Sequence, residues 1–282
     1  MTQSQQANVI CVGGVGGSGT RVLAELLRRA GVFIGDDLNV SLDSLLAALC
    51  FNRLSALSEG EDQFSRVSEI FYRRMQGEQA LQDAATRSLL EMLAETPRQQ
   101  HKLEFLQERV RRYFEVDADK SPAGRRWGWK LPPSLLVLER HLQFDPSLKF
   151  VQLIRHGLDM AFSSNQNQLK AWGPTLLGRP VEVTPRDSLA YWCEAQRRFQ
   201  ALQQRYPDNI RIVRFEDLCA QPAAEARRFL DFLGLSVSPE VIDTYAAWVR
   251  TPDSVGRYRQ HDLDQFNRAD LEMLEAQAYG LR

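Results

Sequence analysis

The sequence is poor in metal-binding and cross-linking residues. It has four cysteines in 282 residues, Cys11, Cys50, Cys193 and Cys219, none at CxxC spacing, and its four histidines are equally scattered. A disulfide framework and a structural zinc site are both disfavoured, and buried free thiols are expected. An excess of one charge is also missing, since 35 lysines and arginines face 36 aspartates and glutamates. No bulk field therefore draws the chain to nucleic acid or to an anionic membrane, and any anion site must be local. There is no apolar run of bilayer length, and "MTQSQQANVI" lacks a basic start followed by an apolar stretch. Together these read as a cytoplasmic protein without an integral membrane segment.

What is present is glycine, concentrated in one place. Five glycines fall in the seven residues from Gly13 to Gly19, between the apolar "NVICV" and a helical pattern of Val22, Leu23, Leu26, Leu27 and Ala30 that Gly31 closes. "VFIG" follows as a second strand, giving a strand, glycine loop, helix, strand unit. Helical periodicity then fills residues 41–120 with almost no β signal, which predicts a helical insertion, or substrate cap, between the second and third strands.

"RRWGWK" (Arg125 to Lys130), "LKFVQLI" (Leu148 to Ile154) and "NIRIVRF" predict the third, fourth and fifth strands. Pro132 and Pro133 open a helix through about His141, another helix begins near Gly157, and "WGPTLLGRPVEVTP" reads as loop. Thr184, Pro185 and Asp187 supply a capped start for a helix through Arg205, and "PAAEARRFLDFLGL" forms a helix closed by Gly234. The expectation is α/β: one domain over residues 1–282, with a parallel sheet of about five strands flanked by helices in the manner of P-loop NTPases.

A glycine loop opening a helix presents backbone N–H groups and the positive dipole end to an oxyanion. Three ligands compete for it. Gly14 to Gly19 satisfies GxGxxG, with Asp36 or Asp37 placed for a ribose, which suits a nicotinamide-dinucleotide oxidoreductase. The same residues have nucleotide P-loop spacing, but Thr20 and Arg21 stand where Lys-Ser/Thr is needed. In the third reading the loop holds a 5′-phosphate or phosphosulfate. Arg155, at the end of the fourth strand, and Ser163, eight residues on, favour this one, because together they can bind a separate 3′-phosphate.

These residues resemble those of a sulfotransferase that uses 3′-phosphoadenosine 5′-phosphosulfate. "GGSGTR" (Gly16 to Arg21) resembles the 5′-phosphosulfate loop, and "RHGLDMAFS" (Arg155 to Ser163) resembles the 3′-phosphate motif, with Asp159 at its internal position. "VRFEDLCAQP" and "FLDFLGL" resemble the late strand and helix. The pattern is nearest to bacterial-type members and to the tyrosylprotein and glycan branch.

The resemblance implies that Gly16, Gly17, Ser18, Gly19, Thr20, Arg21, Arg155, Ser163 and Arg257 bind the nucleotide, with Arg259 as a spare for Arg257. It implies the phosphosulfate as co-substrate, no metal, and a small-molecule, glycolipid or glycan hydroxyl as acceptor. One position departs: Gly17 stands where many members carry a basic residue. Lys130 is expected to supply that charge, with Ser18 beside it and Asp37 as general base ahead of Asp36 and Asp43. The same departure also admits a non-catalytic nucleotide-binding relative.

Overall fold

The computed structural model describes residues 9–77, 82–98, 100–115, 126–277 and 279–280. Four parallel strands, β1 (Val9–Gly14), β2 (Trp127–Lys130), β3 (Lys149–Ile154) and β4 (Ile210–Arg214), lie in the order β2-β1-β3-β4. Their side chains alternate between two cores. Ile10, Val12, Val151, Leu153 and Val213 pack on one face, while Val9, Cys11, Trp127, Trp129 and Phe150 pack on the other. This is the pattern of a parallel sheet covered on both sides.

The expected second strand shrinks to a single bridge between Phe33 and Trp127, so among the described residues the sheet has four strands where about five were expected. Phe33 N–H donates to Arg126 O at 3.1 Å and its carbonyl accepts from Gly128 N–H at 2.8 Å. Two residues later Gly35 turns the chain off the sheet with φ of +110°, a conformation open to glycine. Arg125, the expected first residue of the next strand, lies outside the described residues.

Helix α1 (Arg21–Arg29) follows the glycine loop and faces the Ile10 core. Between the Phe33 bridge and β2 stand α2 (Leu45–Phe51), α3 (Glu61–Met75), α4 (Ala84–Glu95) and α5 (Leu103–Glu115); residues 116–120 of the expected insertion lie outside the described set. After β2 the double proline starts a 3₁₀ turn, Pro132–Val137, before α6 (Leu138–Phe144). Then come α7 (Gly157–Ala161), α8 (Asn167–Leu177) and α9 (Pro185–Arg205). Thr184 caps α9 by accepting from Asp187 N–H at 3.2 Å, with Pro185 in the first turn.

The "WGPTLL" stretch, expected as loop, is the second half of α8, which carries Pro174 and ends at left-handed Gly178. Trp172 and Leu176 are buried on that helix, so packing overrides the local turn signal. The chain continues through α10 (Phe215–Ala220), α11 (Pro222–Phe232), α12 (Pro239–Trp248) and α13 (Arg268–Ala276). All four cysteines are free; Cys219 is half-buried and the other three are buried. Among the described residues no helix is long and apolar enough to cross a membrane.

Candidate active site

The glycine loop leaves the C-terminal end of β1, where neighbouring backbone comes too close for side chains. A Cβ at Gly14 would fall 2.6 Å from Leu153 O, and one at Gly19 would fall 2.5 Å from the Phe215 ring. Gly17 and Gly19 also have φ of +92° and +96°, which an L side chain resists. Ser18 N–H closes the turn on Val15 O at 3.0 Å. Its hydroxyl is buried and has no partner among the described residues. Thr20 is buried at the start of α1, and that helix has no acidic residue in its first turn. The positive end of α1 is thus uncancelled by its own side chains. Arg21 is exposed on the first turn.

Arg155 leaves β3 beside the loop. Its guanidinium lies 5.1 Å over the Phe215 ring, the same ring that crowds Gly19. It donates to Ser254 Oγ at 2.9 Å and pairs with Asp159 at 3.6 Å, while its Nε has no partner among the described residues. Burial pulls its pKa down, Asp159 opposes that, and nearby Arg257 adds to it. Ser163 lies just beyond α7 rather than within it, because that helix ends at Ala161. Its Oγ sits 3.7 Å from where a Gly17 Cβ would be, so the second motif reaches back to the first.

Asp159 ties this corner to the late loop by accepting from Gly256 N–H at 2.8 Å and Tyr258 N–H at 3.4 Å. Arg257 donates to Ser254 O at 3.1 Å and Phe162 O at 3.3 Å. Arg155, Ser163 and Arg257 therefore surround one corner of the sheet. Behind them His156 Nδ1 accepts from Leu158 N–H at 3.2 Å, which leaves Nε2 to donate to Gly280 O at 2.9 Å. Glu216 accepts from His156 N–H at 2.9 Å and from Tyr279 Oη at 3.0 Å.

Lys130 sits on the other side of the loop. It pairs in register with Val12 and is only 2% exposed. Its Nζ contacts Asp43 Oδ1 at 2.5 Å and Ser41 O at 2.9 Å. Burial lowers its pKa, Asp43 holds it up, and Arg21 pushes it down. The other Asp43 oxygen accepts from Asn39 Nδ2 at 2.8 Å.

Asp37 is placed differently. It pairs with Arg109 at 3.1 Å and Arg112 at 3.5 Å, beside an Asp36–Arg74 pair at 2.7 Å. Burial nevertheless raises its pKa. This ionic knot surrounds a space of only about 10 Å³.

A larger cavity of about 190 Å³ opens beside the loop, lined by Gly16, Asp43, His101, Pro132, Asn165 and Asn167 among others. The loop after β3 and the helical block before β2 thus both contribute to its walls. His101, which no sequence pattern singles out, also lines this cavity. It makes no hydrogen bond among the described residues, and its ring stacks on Phe105 at 5.0 Å. Burial, helped by Arg98, lowers its pKa, so the imidazole is neutral at pH 7. Its only sequence signal was a lone histidine just before an amphipathic helix, which carries little information.

A family profile described as the sulfotransferase family matches residues 10–239. Among solved structures, a sulfotransferase domain from the curacin biosynthetic pathway is 16% identical, with 97% of this chain and 98% of that chain covered at a TM-score of 0.50. A sulfotransferase domain from the Synechococcus PCC 7002 olefin synthase is also 16% identical, covering 97% and 95% at a TM-score of 0.50. At that identity these two likenesses speak to the fold. No curated protein matches the chain.

Proposed function

The chain belongs to the sulfotransferase family, and we propose that it moves the sulfuryl group of 3′-phosphoadenosine 5′-phosphosulfate to the hydroxyl of an acceptor held in the cavity beside Gly16. The observation that carries this reading is the juxtaposition of two anion cradles. The glycine loop and Arg155 share the Phe215 ring, and Ser163 lies 3.7 Å from the Gly17 Cβ position. A doubly phosphorylated nucleotide suits such a pair.

The residues fit that co-substrate chemically. The unpartnered Ser18 hydroxyl, the Thr20 hydroxyl and the N–H groups from Gly16 to Thr20 suit the 5′ end, with Arg21 at the rim. Arg155, with a spare Nε–H, Ser163 and Arg257 suit the 3′-phosphate. In the transfer the acceptor oxygen forms a bond to sulfur as the bond from sulfur to the 5′-phosphate oxygen breaks. Negative charge gathers on that leaving oxygen. Lys130, buried beside the loop and charged with the help of Asp43, is placed to stabilise it, which is typically worth about 10²- to 10³-fold in rate.

The proton of the acceptor hydroxyl needs a base in the same cavity. His101 is neutral and unpaired there, whereas Asp37 is held by two arginines and Asp43 by Lys130 and Asn39. We therefore assign the base to His101. The helical block over residues 41–120 acts as the acceptor cap in this reading, within one catalytic domain.

The test is transfer of ³⁵S-sulfuryl label from the phosphosulfate to a panel of sugars, glycolipids and simple alcohols. Wild-type protein should yield a labelled sulfate ester, and Lys130→Ala should reduce the rate about 10²- to 10³-fold. Tight nucleotide binding with no labelled product from any acceptor would favour a non-catalytic nucleotide-binding relative. A response to NADH in place of the adenosine bisphosphate would favour a dehydrogenase.

A further inference from the structure

Resting on the sulfotransferase reading, we infer that the acceptor is an amphipathic alcohol carrying a carboxylate at the end remote from its reacting hydroxyl. The acceptor cavity does not stop at its polar walls. It adjoins a second cavity of about 380 Å³, and both are lined by Asn52 and Gln100. Asn52 Nδ2 donates to Gln100 Oε1 at 2.8 Å, so an amide pair marks the waist between the two. Beyond it the walls include Leu54, Pro97, Ala171 and the buried Trp172. An acceptor spanning both spaces has a polar reacting end and an apolar body.

The charge at the far end is set by two arginines and one carboxylate. Arg53 is cancelled, because Glu59 takes both of its Nη atoms at 2.7 and 2.8 Å. Arg98 is not cancelled. Its Nη1 donates to Ala48 O at 2.8 Å and Leu49 O at 3.1 Å, its Nε to Thr96 O at 3.4 Å and its Nη2 to Leu93 O.

All four acceptors are neutral carbonyls, and no carboxylate pairs with Arg98 among the described residues. Burial and the neighbouring Arg53 lower its pKa to about 10, which still leaves it a cation at pH 7. Four of the five guanidinium N–H groups are used, so one on Nη2 remains. A half-buried cation on an apolar wall, with no counter-ion among the described residues, is stabilised by an anionic ligand.

The near end excludes that anion. Asp43 on its wall is already paired with Lys130, and the phosphosulfate that reacts there is itself negative. A carboxylate on the acceptor is therefore disfavoured beside the loop and favoured beside Arg98, which fixes the orientation as well as the class. The same charge separation keeps the acceptor's own carboxylate away from its reacting hydroxyl.

The test is calorimetric binding of long-chain ω-hydroxyalkanoates and of their methyl esters, with adenosine 3′,5′-bisphosphate present so that no turnover occurs. Wild-type protein should bind the best acid roughly tenfold more tightly than its ester. Arg98→Met should erase that preference and Arg98→Lys should keep part of it. Because Arg98 also ties α4 to α2, Ala171→Asp serves as a second variant. It places a carboxylate at the cavity wall and should erase the preference while bisphosphate affinity stays unchanged. Equal binding of acid and ester, no binding by any chain length, or a preference that survives both Arg98→Met and Ala171→Asp would overturn the inference. Failure of the bisphosphate itself to bind would instead overturn the sulfotransferase reading, and this inference with it.

Discussion

Replacing His141 with leucine should flatten the acid limb of the protein's stability curve. His141 lies on α6 at 0% exposure, with ring centroids of Phe51, Trp129 and Phe64 at 4.5, 5.2 and 5.3 Å. Neither ring nitrogen has a hydrogen-bond partner among the described residues. Burial first, then the neighbouring Arg140 charge, drops its pKa from 6.5 to about 3.

The folded protein thus holds this ring neutral while the unfolded chain takes up a proton below pH 6.5. Stability from this residue is complete above pH 6.5 and falls with pH by about 1.4 kcal/mol per unit until about pH 3. Between pH 7 and pH 5 the loss is about 2 kcal/mol, and its ceiling is about 5 kcal/mol. Urea titrations at both pH values read this directly. His101 and His156 are lowered too, so the slope in wild type exceeds that of one histidine, and the difference between wild type and His141→Leu isolates the buried ring. An identical pH 7 to pH 5 change in the two proteins would show that the buried His141 ring does not carry this acid loss of stability.

Two further predictions concern the site. Asp43→Asn removes the charge that holds up the pKa of buried Lys130. If transfer requires protonated Lys130, the alkaline fall in kcat/KM should begin at lower pH in this variant than in wild type, and unchanged alkaline limbs would count against Lys130 as the charge stabiliser. Tyr279→Phe removes a 3.0 Å hydrogen bond to Glu216, the group that also receives the His156 N–H next to Arg155. One such bond is worth about 1 kcal/mol, so Tyr279→Phe should lower folding stability by about that amount in urea titration, and unchanged stability would count against this hydrogen bond.

The features legible in the sequence are those fixed by local chain geometry. The glycine run from Gly13 to Gly19 declares its turn because backbone approach to Leu153 and Phe215 excludes side chains there. The Thr184, Pro185, Asp187 start of α9 is a short-range cap and reads equally well. Contacts between distant segments did not read. Lys130 and Asp43 are 87 residues apart, so nothing local tells Asp43 from Asp37 as the acid facing the loop. Asp37 instead meets Arg109 and Arg112 from α5. His101 gains its environment only when Phe105 and the Gly16 cavity close around it. "VFIG" has strand composition, but Gly35 bends the chain away after one bridge, and "WGPTLL" has turn composition, but burial of Trp172 and Leu176 keeps it helical.

The proposed nucleotide site has two anion cradles that grip opposite ends of one nucleotide. Its most direct test is calorimetry of wild-type and Arg155→Gln protein with adenosine 3′,5′-bisphosphate and with adenosine 5′-monophosphate. Wild type should prefer the bisphosphate, and Arg155→Gln should weaken the bisphosphate by about tenfold or more while leaving the monophosphate untouched. Equal affinity of wild type for the two nucleotides, or equal weakening of both by the substitution, would contradict it.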